Sequence, residues 1–223
     1  MLRKPPRPHR FRWGQFLNRI DRFYQAGEWR APVLRERGVD PFRVLVSTVL
    51  SHRTRDEVTE RAALRLLDSY PNPAALARAS PKEIQERVRD VGLSTAKSRG
   101  LHRAAIIITS EFGGSMPKTR AELLSLPLVG TKTANAILVF GFGVPAIPAD
   151  THIHRVSNRL GVVRTRNAEE TSTALEAVVP RKYWYRLNPT LVQHGQNLCR
   201  AGTPKCDACP VEDLCFKIGV VAR

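Results

Sequence analysis

Two residues of this chain have types and positions suited to chemistry at an electrophilic carbon. Lys132 lies in LPLVGTKTAN (residues 126–135), after a Pro and a Gly and at the start of an apolar helical pattern; Asp150 follows in PADTHIHRVSNRLG. Cations are favoured at helix C-termini and disfavoured in the first turn. A lysine placed there is either a solvated surface group or an amine meant to lose its proton, because the helix start disfavours the ammonium form. A neutral amine is a nucleophile suited to Schiff-base chemistry at a carbon such as a sugar C1′. Asp150-Thr151 reads first as the cap of a helix carrying Ile153, Val156 and Leu160, with a second reading in which the Asp150 carboxylate faces a reaction centre.

A third constellation is Cys199-x6-Cys206-x2-Cys209-x5-Cys215, which holds every cysteine of the chain. A secreted disulfide framework spreads its cysteines to staple distant parts. Clustering of this kind points instead to metal ligation in a reducing compartment, and a cytoplasmic location is expected. Four thiolates with no histidine among them leave zinc and an iron–sulfur cluster both open. Arg200 and Lys205 lie between the first two cysteines, in RAGTPK, where they are either phosphate contacts or ordinary surface charge. His194, in LVQHGQNLC, reads as structural.

The elements that must position these groups are helical. Asp40-Pro41 and Asn72-Pro73 combine an N-cap with proline at the first helical position. SPKE (80–83) and TRAE (119–122) have capping-box spacing, and Asn167 to Glu170 offers another start. EVTERAALRLLDSY and TAKSRGLHRAAIIITSEF repeat apolar residues at three and four positions. Strand patterns are scarce; VVRT and AAIIIT are ambiguous, and the second lies inside a helical period. The expected fold class is all-α. SPKEIQERVRDVGLSTAK and TRAELLSLPLVGTKTA each run from a capped helix through a short Gly turn into a second helix. In the second, Pro127 ends one helix and Gly130 is expected to supply a left-handed backbone before the next. Such a turn exposes the first N–H groups of the following helix to an anion, as phosphate requires.

At 223 residues the chain is one large domain or two small ones. The net charge of +16, from 36 basic against 20 acidic residues, favours a polyanionic partner, with nucleic acid first. No apolar run approaches the roughly 18 residues of a membrane span. MLRKPPRPHRFRW has five Arg or Lys and three prolines before Trp13 and no apolar core, so a basic flexible arm is expected rather than a signal peptide.

LPLVGTKTANAIL, followed by ADTHIHRV and the four-cysteine spacing, resembles endonuclease III of the helix-hairpin-helix DNA glycosylase superfamily, from about residue 30 to residue 216. The resemblance implies two helical domains. A six-helix barrel would span residues 34–144 and carry the hairpin near 119–140. An iron–sulfur domain would combine residues 1–33 with 145–223, and the active site would lie between the two. It implies a [4Fe–4S] cluster on Cys199, Cys206, Cys209 and Cys215, and a monomer acting on damaged double-stranded DNA, cytoplasmic and nucleoid-associated in a prokaryote. Lys132 would be the nucleophile and Asp150 its assisting carboxylate. Leu128, Val129 and Gly130 would meet phosphate. Loops 51–56 and 91–94 would enter the duplex, with Leu93 as an apolar wedge (core packing being its other reading) and His52 and Arg53 at the bases.

The implied activity is removal of oxidised pyrimidines followed by strand cleavage 3′ to the abasic site. Three departures stand out. Ser51-His52-Arg53 replaces the usual Ser-Ala-Gln, and Leu128 replaces a glycine of the hairpin. Thr48 occupies the place where adenine-removing relatives carry a glutamate. A monofunctional uracil/thymine mismatch glycosylase is the nearer alternative. A non-enzymatic iron–sulfur DNA-binding or redox-sensing protein is the more distant one.

Overall fold

The computed structural model describes residues 11–26 and 38–220, so the expected basic arm falls almost entirely outside the described residues, as do the junction at 33–34 and the start of the resemblance near residue 30. Among the described residues every regular element is helical. In chain order these are α1 (Trp13–Gln25), α2 (Pro41–Ser51), α3 (Asp56–Ser69), α4 (Pro73–Arg78), α5 (Pro81–Arg87), α6 (Ser94–Glu111), α7 (Arg120–Ser125), α8 (Thr131–Ala136), α9 (Thr151–Leu160), α10 (Ala168–Val178) and α11 (Trp184–Asn197). No helix among the described residues is long and apolar enough to cross a membrane. The chain divides into two compact units: Met1–Pro32 with Pro145–Arg223, and Val33–Val144.

In the Val33–Val144 unit the helix starts follow the local sequence. The Asp40 carboxylate accepts from Phe42 N–H, and Asn72 Oδ1 accepts from Ala75 N–H. Ser80 with Glu83 and Thr119 with Glu122 form complete capping boxes. A cap of this kind stabilises its helix by about 1 kcal/mol. Helix α2 is buried from Val44 to Leu50 and forms the centre of the unit, contacting α3, α6 and α8. Apolar residues on all sides are what such a central helix needs. AAIIIT lies within α6, whose 18 residues pack on α4 and α5. Helix α8 continues as a π-helical turn over Ile137–Gly141, with Ile137, Leu138 and Phe140 all buried.

The other unit has its own core. Phe16, Leu17 and Ile20 of α1 meet Ile153, Val156 and Leu160 of α9, with Leu187 and Leu191 of α11. The approach to α9 is pinned. Ser172 Oγ donates to Ile147 O at 2.6 Å, and Asn188 Nδ2 donates to Pro148 O at 2.8 Å. Those two bonds occupy carbonyls that a buried loop cannot give to water, and they fix the backbone that delivers Asp150. VVRT forms no strand; Val162 is buried beyond the left-handed Gly161 that ends α9.

Candidate functional site

The hairpin is a tight connection between α7 and α8. Leu126 N–H donates to Leu123 O, Val129 N–H donates to Leu126 O, and Ala134 N–H donates to Gly130 O. One expectation is corrected. Gly130 has φ −98°, and the left-handed residue is Leu128, with φ 65°. A side chain in that conformation costs roughly 1–2 kcal/mol. The compensation lies on α6, where a Cβ added to Gly100 would come within 2.2 Å of Leu128 Cδ1. Leu128 therefore packs directly on a backbone that only glycine leaves open, while 41 % of it stays exposed. Val129 is buried, so its side chain serves the hairpin core. Lys132 is the second residue of α8 and half-buried.

Two further left-handed residues lie in this unit. Arg53 (φ 53°) follows α2 and is exposed; Leu93 (φ 60°) caps α6 and is 57 % exposed, which rules out a core role for it. The two loops touch. Gly92 N–H donates to Thr54 Oγ1 at 3.1 Å, and a Cβ on Gly92 would lie 2.5 Å from Arg53 O. His52, half-buried at the end of α2, has its imidazole pushed down to about 4, first by burial and then by the fields of Lys132 and Lys97. It is neutral near pH 7 and can accept as well as donate. Sequence reasoning gives no sign of Lys97, a buried lysine beneath these loops; only its place in the helical period of α6 is legible.

Asp150 is the N-cap of α9, with Oδ1 accepting from Ile153 N–H at 2.8 Å, and it is half-buried. It belongs to the unit that contains the cysteines, whereas Lys132 belongs to the other. Helix α9 also holds the cysteine segment. Arg155 donates to Cys199 O and Gly195 O at 3.0 and 2.9 Å, and Arg159 donates to Arg200 O and Ala201 O at 2.6 and 2.7 Å. The i, i+4 spacing of these arginines puts them on one helix face, a signal available in the sequence. Lys205 N–H closes the loop onto Leu198 O at 2.9 Å, leaving the side chains of Arg200 and Lys205 exposed.

All four cysteines are unpaired and line one recess of about 480 Å³, counted out to its open mouth, with Phe16, Val156 and Leu198 as apolar wall. Polar groups lie close to three of the sulfurs. Arg159 Nη1 is 3.6 Å from Cys199 Sγ, His194 Nε2 is 3.6 Å from Cys209 Sγ, and Lys217 N–H is 3.4 Å from Cys215 Sγ. Donation from Arg159 and from the Lys217 amide suits thiolates, whose metal complexes are tuned by hydrogen bonds to sulfur. Burial, by itself, works the other way and pushes the Cys209 thiol up to about 11. A bound metal group is what would resolve this, because coordination deprotonates a thiol outright. Among the described residues no three His, Cys, Asp or Glu side chains converge closely enough for a single metal ion. Four thiols lining one recess are the kind of donor set that an iron–sulfur cluster takes. His194 is buried and bonded to the Tyr24 hydroxyl at 3.0 Å, a structural placement.

A short helical hairpin with a lysine at the start of its second helix, on an all-helical scaffold with a four-thiol recess, defines a helix-hairpin-helix protein. Residues 46–181 match the HhH-GPD superfamily of base excision DNA repair proteins, and the chain belongs to that superfamily. It is 43 % identical over 176 residues to endonuclease III of Thermotoga maritima, covering 79 % of this chain and 83 % of that one. Its fold is similar to a trapped endonuclease III–DNA covalent intermediate in an estranged-adenine complex, with TM-score 0.80, 30 % identity and coverage of 91 % and 93 %. It is also similar to a thermostable thymine-DNA glycosylase, with TM-score 0.79, 25 % identity and coverage of 91 % and 94 %.

Proposed function

We propose that this protein is a bifunctional DNA glycosylase and abasic-site lyase of base excision repair, acting on oxidised pyrimidines in duplex DNA. The observation that carries the reading is Lys132 in the first turn after the hairpin, in a chain 43 % identical to an endonuclease III. Its amine attacks C1′ of an extruded nucleotide, and the glycosidic bond breaks with its electron pair leaving on the base. The attached amine then loses a proton and the sugar ring opens to an imine. Loss of a C2′ proton expels the 3′ phosphate by β-elimination. Asp150 receives and returns protons and stabilises positive charge developing on the sugar. A damaged base is cheaper to unstack than a sound one, which supplies part of the selectivity.

Leu93 and Arg53 enter the duplex from their two loops, with neutral His52 beside them. The hairpin, through Gly130 and the exposed Leu128, docks on backbone phosphate. Arg200 and Lys205 add salt-sensitive phosphate contacts. Cys199, Cys206, Cys209 and Cys215 hold a [4Fe–4S] cluster, which when bound supplies rigidity to the 199–215 segment. The protein works as a monomer in the cytoplasm, on nucleoid DNA.

Sodium borohydride tests the central step. The wild type is expected to form a covalent adduct with thymine-glycol duplex and with abasic duplex, and Lys132→Ala to form none and cut neither. Normal trapping and cleavage by Lys132→Ala would remove the lysine from its role. Base release without strand cutting by the wild type would favour the monofunctional reading, which the likeness to a thymine-DNA glycosylase keeps specific.

A further inference from the structure

Lys97 is a buried charge that the proposed chemistry does not use. It lies in the first turns of α6 with 4 % of its surface exposed, and its backbone N–H donates to Leu93 O at 3.0 Å. Its amine donates to Leu50 O at 2.7 Å, His52 O at 2.6 Å and Thr54 Oγ1 at 2.9 Å. All three N–H bonds of an ammonium are thus used. Leu50 and His52 are at the C-terminal end of α2, where carbonyls lack intrahelical partners and the helix dipole favours a cation. One amine therefore caps α2 from the start of α6.

Thr54 extends the arrangement. Its hydroxyl accepts from Lys97, accepts from Gly92 N–H, and donates to His52 O at 3.3 Å. Gly92 lets the Arg53 carbonyl approach to a distance no side chain permits. The two residues this assembly flanks, Arg53 and Leu93, are exposed and left-handed, a conformation that a non-glycine residue keeps only when its surroundings impose it. Burying a lysine is costly unless its charge is satisfied, and core stability alone asks for an apolar residue at this position of α6. The cost makes sense if the charge fixes something the apolar residue cannot.

We infer that Lys97 is a positioning residue, which with Thr54 locks the loops of Arg53 and Leu93 into one rigid two-pronged unit that drives base extrusion. This rests on the reading of those loops as the ones that enter DNA. Pre-set prongs lower the entropic cost of opening the duplex, because the loops need no ordering at the moment of insertion. The assembly contributes only where a base must be driven out of its stack.

The experiment compares single-turnover release of thymine glycol from a paired duplex with release from the same strand carrying the lesion in a central unpaired bubble. Lys97→Met and Thr54→Val are expected to slow the duplex reaction about tenfold or more and to leave the bubble reaction within about twofold. Thr54→Ser keeps the hydroxyl and is expected to restore the duplex rate. Equal losses on both substrates, or Thr54→Val matching the wild type on both, would overturn the positioning role. If circular dichroism shows Lys97→Met unfolded, the Thr54→Val and Thr54→Ser pair decides alone. Leu93→Ala separates the two levels. If it loses the duplex reaction while the Thr54 and Lys97 variants do not, only the role of Lys97 falls. If Leu93→Ala keeps full duplex activity, the reading of the loops falls and takes this inference with it.

Discussion

The two units hold their functional side chains by opposite means. In the Val33–Val144 unit the exposed residues sit on strained backbone: Arg53, Leu93 and Leu128 are left-handed, and each is braced from within the unit by Gly92, Gly100 or Lys97. In the other unit the cysteine segment is tied to α9 by arginine hydrogen bonds to carbonyls, and its four thiols face a recess that suits a metal group. One region carries its own rigidity; the other, in the proposed reading, is completed by a metal group. Loops proposed to enter DNA gain from being pre-set, whereas a segment proposed to surround a cluster would take its shape from it.

The largest expected effect tests the ligand-completed side. Cys209→Ser should lose the visible absorption of the cluster and unfold the 199–215 segment, since the binding energy of a structural metal group is folding energy. Chelation or oxidative removal of iron from the wild type should do the same while leaving the caps of the other unit intact, as hydrogen exchange of α2 to α7 would report. A stable, fully ordered Cys209→Ser protein would erase the contrast between the units.

Asp150 separates chemistry from capping. Asparagine caps as well as aspartate does, so Asp150→Asn should keep its melting temperature while lowering lesion release about a hundredfold or more. Asp150→Ala should show that loss and also lose about 1 kcal/mol of stability. Urea denaturation beside single-turnover assays reads both quantities.

The strained side is tested by a double-mutant cycle at Gly100 and Leu128. Gly100→Ala alone forces a methyl group against Leu128 and should cost about 1–3 kcal/mol. In the Leu128→Gly background the same change should be close to neutral. Additive effects in urea denaturation would mean that the two positions do not brace each other.

The smallest effect is a pH dependence. The imidazole of His52 is pushed down to about 4 in the folded protein from an ordinary value of 6.5. Between those values the unfolded chain binds more protons than the folded one. The stability linked to His52 is therefore fully present above about 6.5 and is lost as the pH falls through about 4. His52→Gln should flatten the decline of the denaturation midpoint over that window relative to the wild type, and an unchanged slope would place the ring in a more solvated setting.

Several of these features are legible in the sequence alone. Asp40, Asn72, Ser80, Thr119 and Asn167 announced helix starts that the structure caps with side-chain oxygens, because a cap depends only on residues two or three apart. The hairpin was legible for the same reason, down to the apolar face of Ala134, Ile137, Leu138 and Phe140. Local reasoning failed where two segments compete for one space. It assigned the left-handed turn residue to Gly130, whereas the structure assigns it to Leu128, because the room that decides the matter is provided by Gly100, far away in the sequence. It could not choose between core and surface for Leu93, and it passed over Lys97, whose partners lie more than 40 residues away.

By itself the sequence determined the helices, their caps, the hairpin carrying Lys132 and the clustering of four thiols, since each is encoded in spacings shorter than one or two helical turns or in a contiguous run. Only the tertiary structure decided which loops are braced together, which glycines make room for another segment's side chain, and which lysine is buried. Those outcomes depend on close packing between segments distant in the chain, where a single methyl group more or less changes what fits.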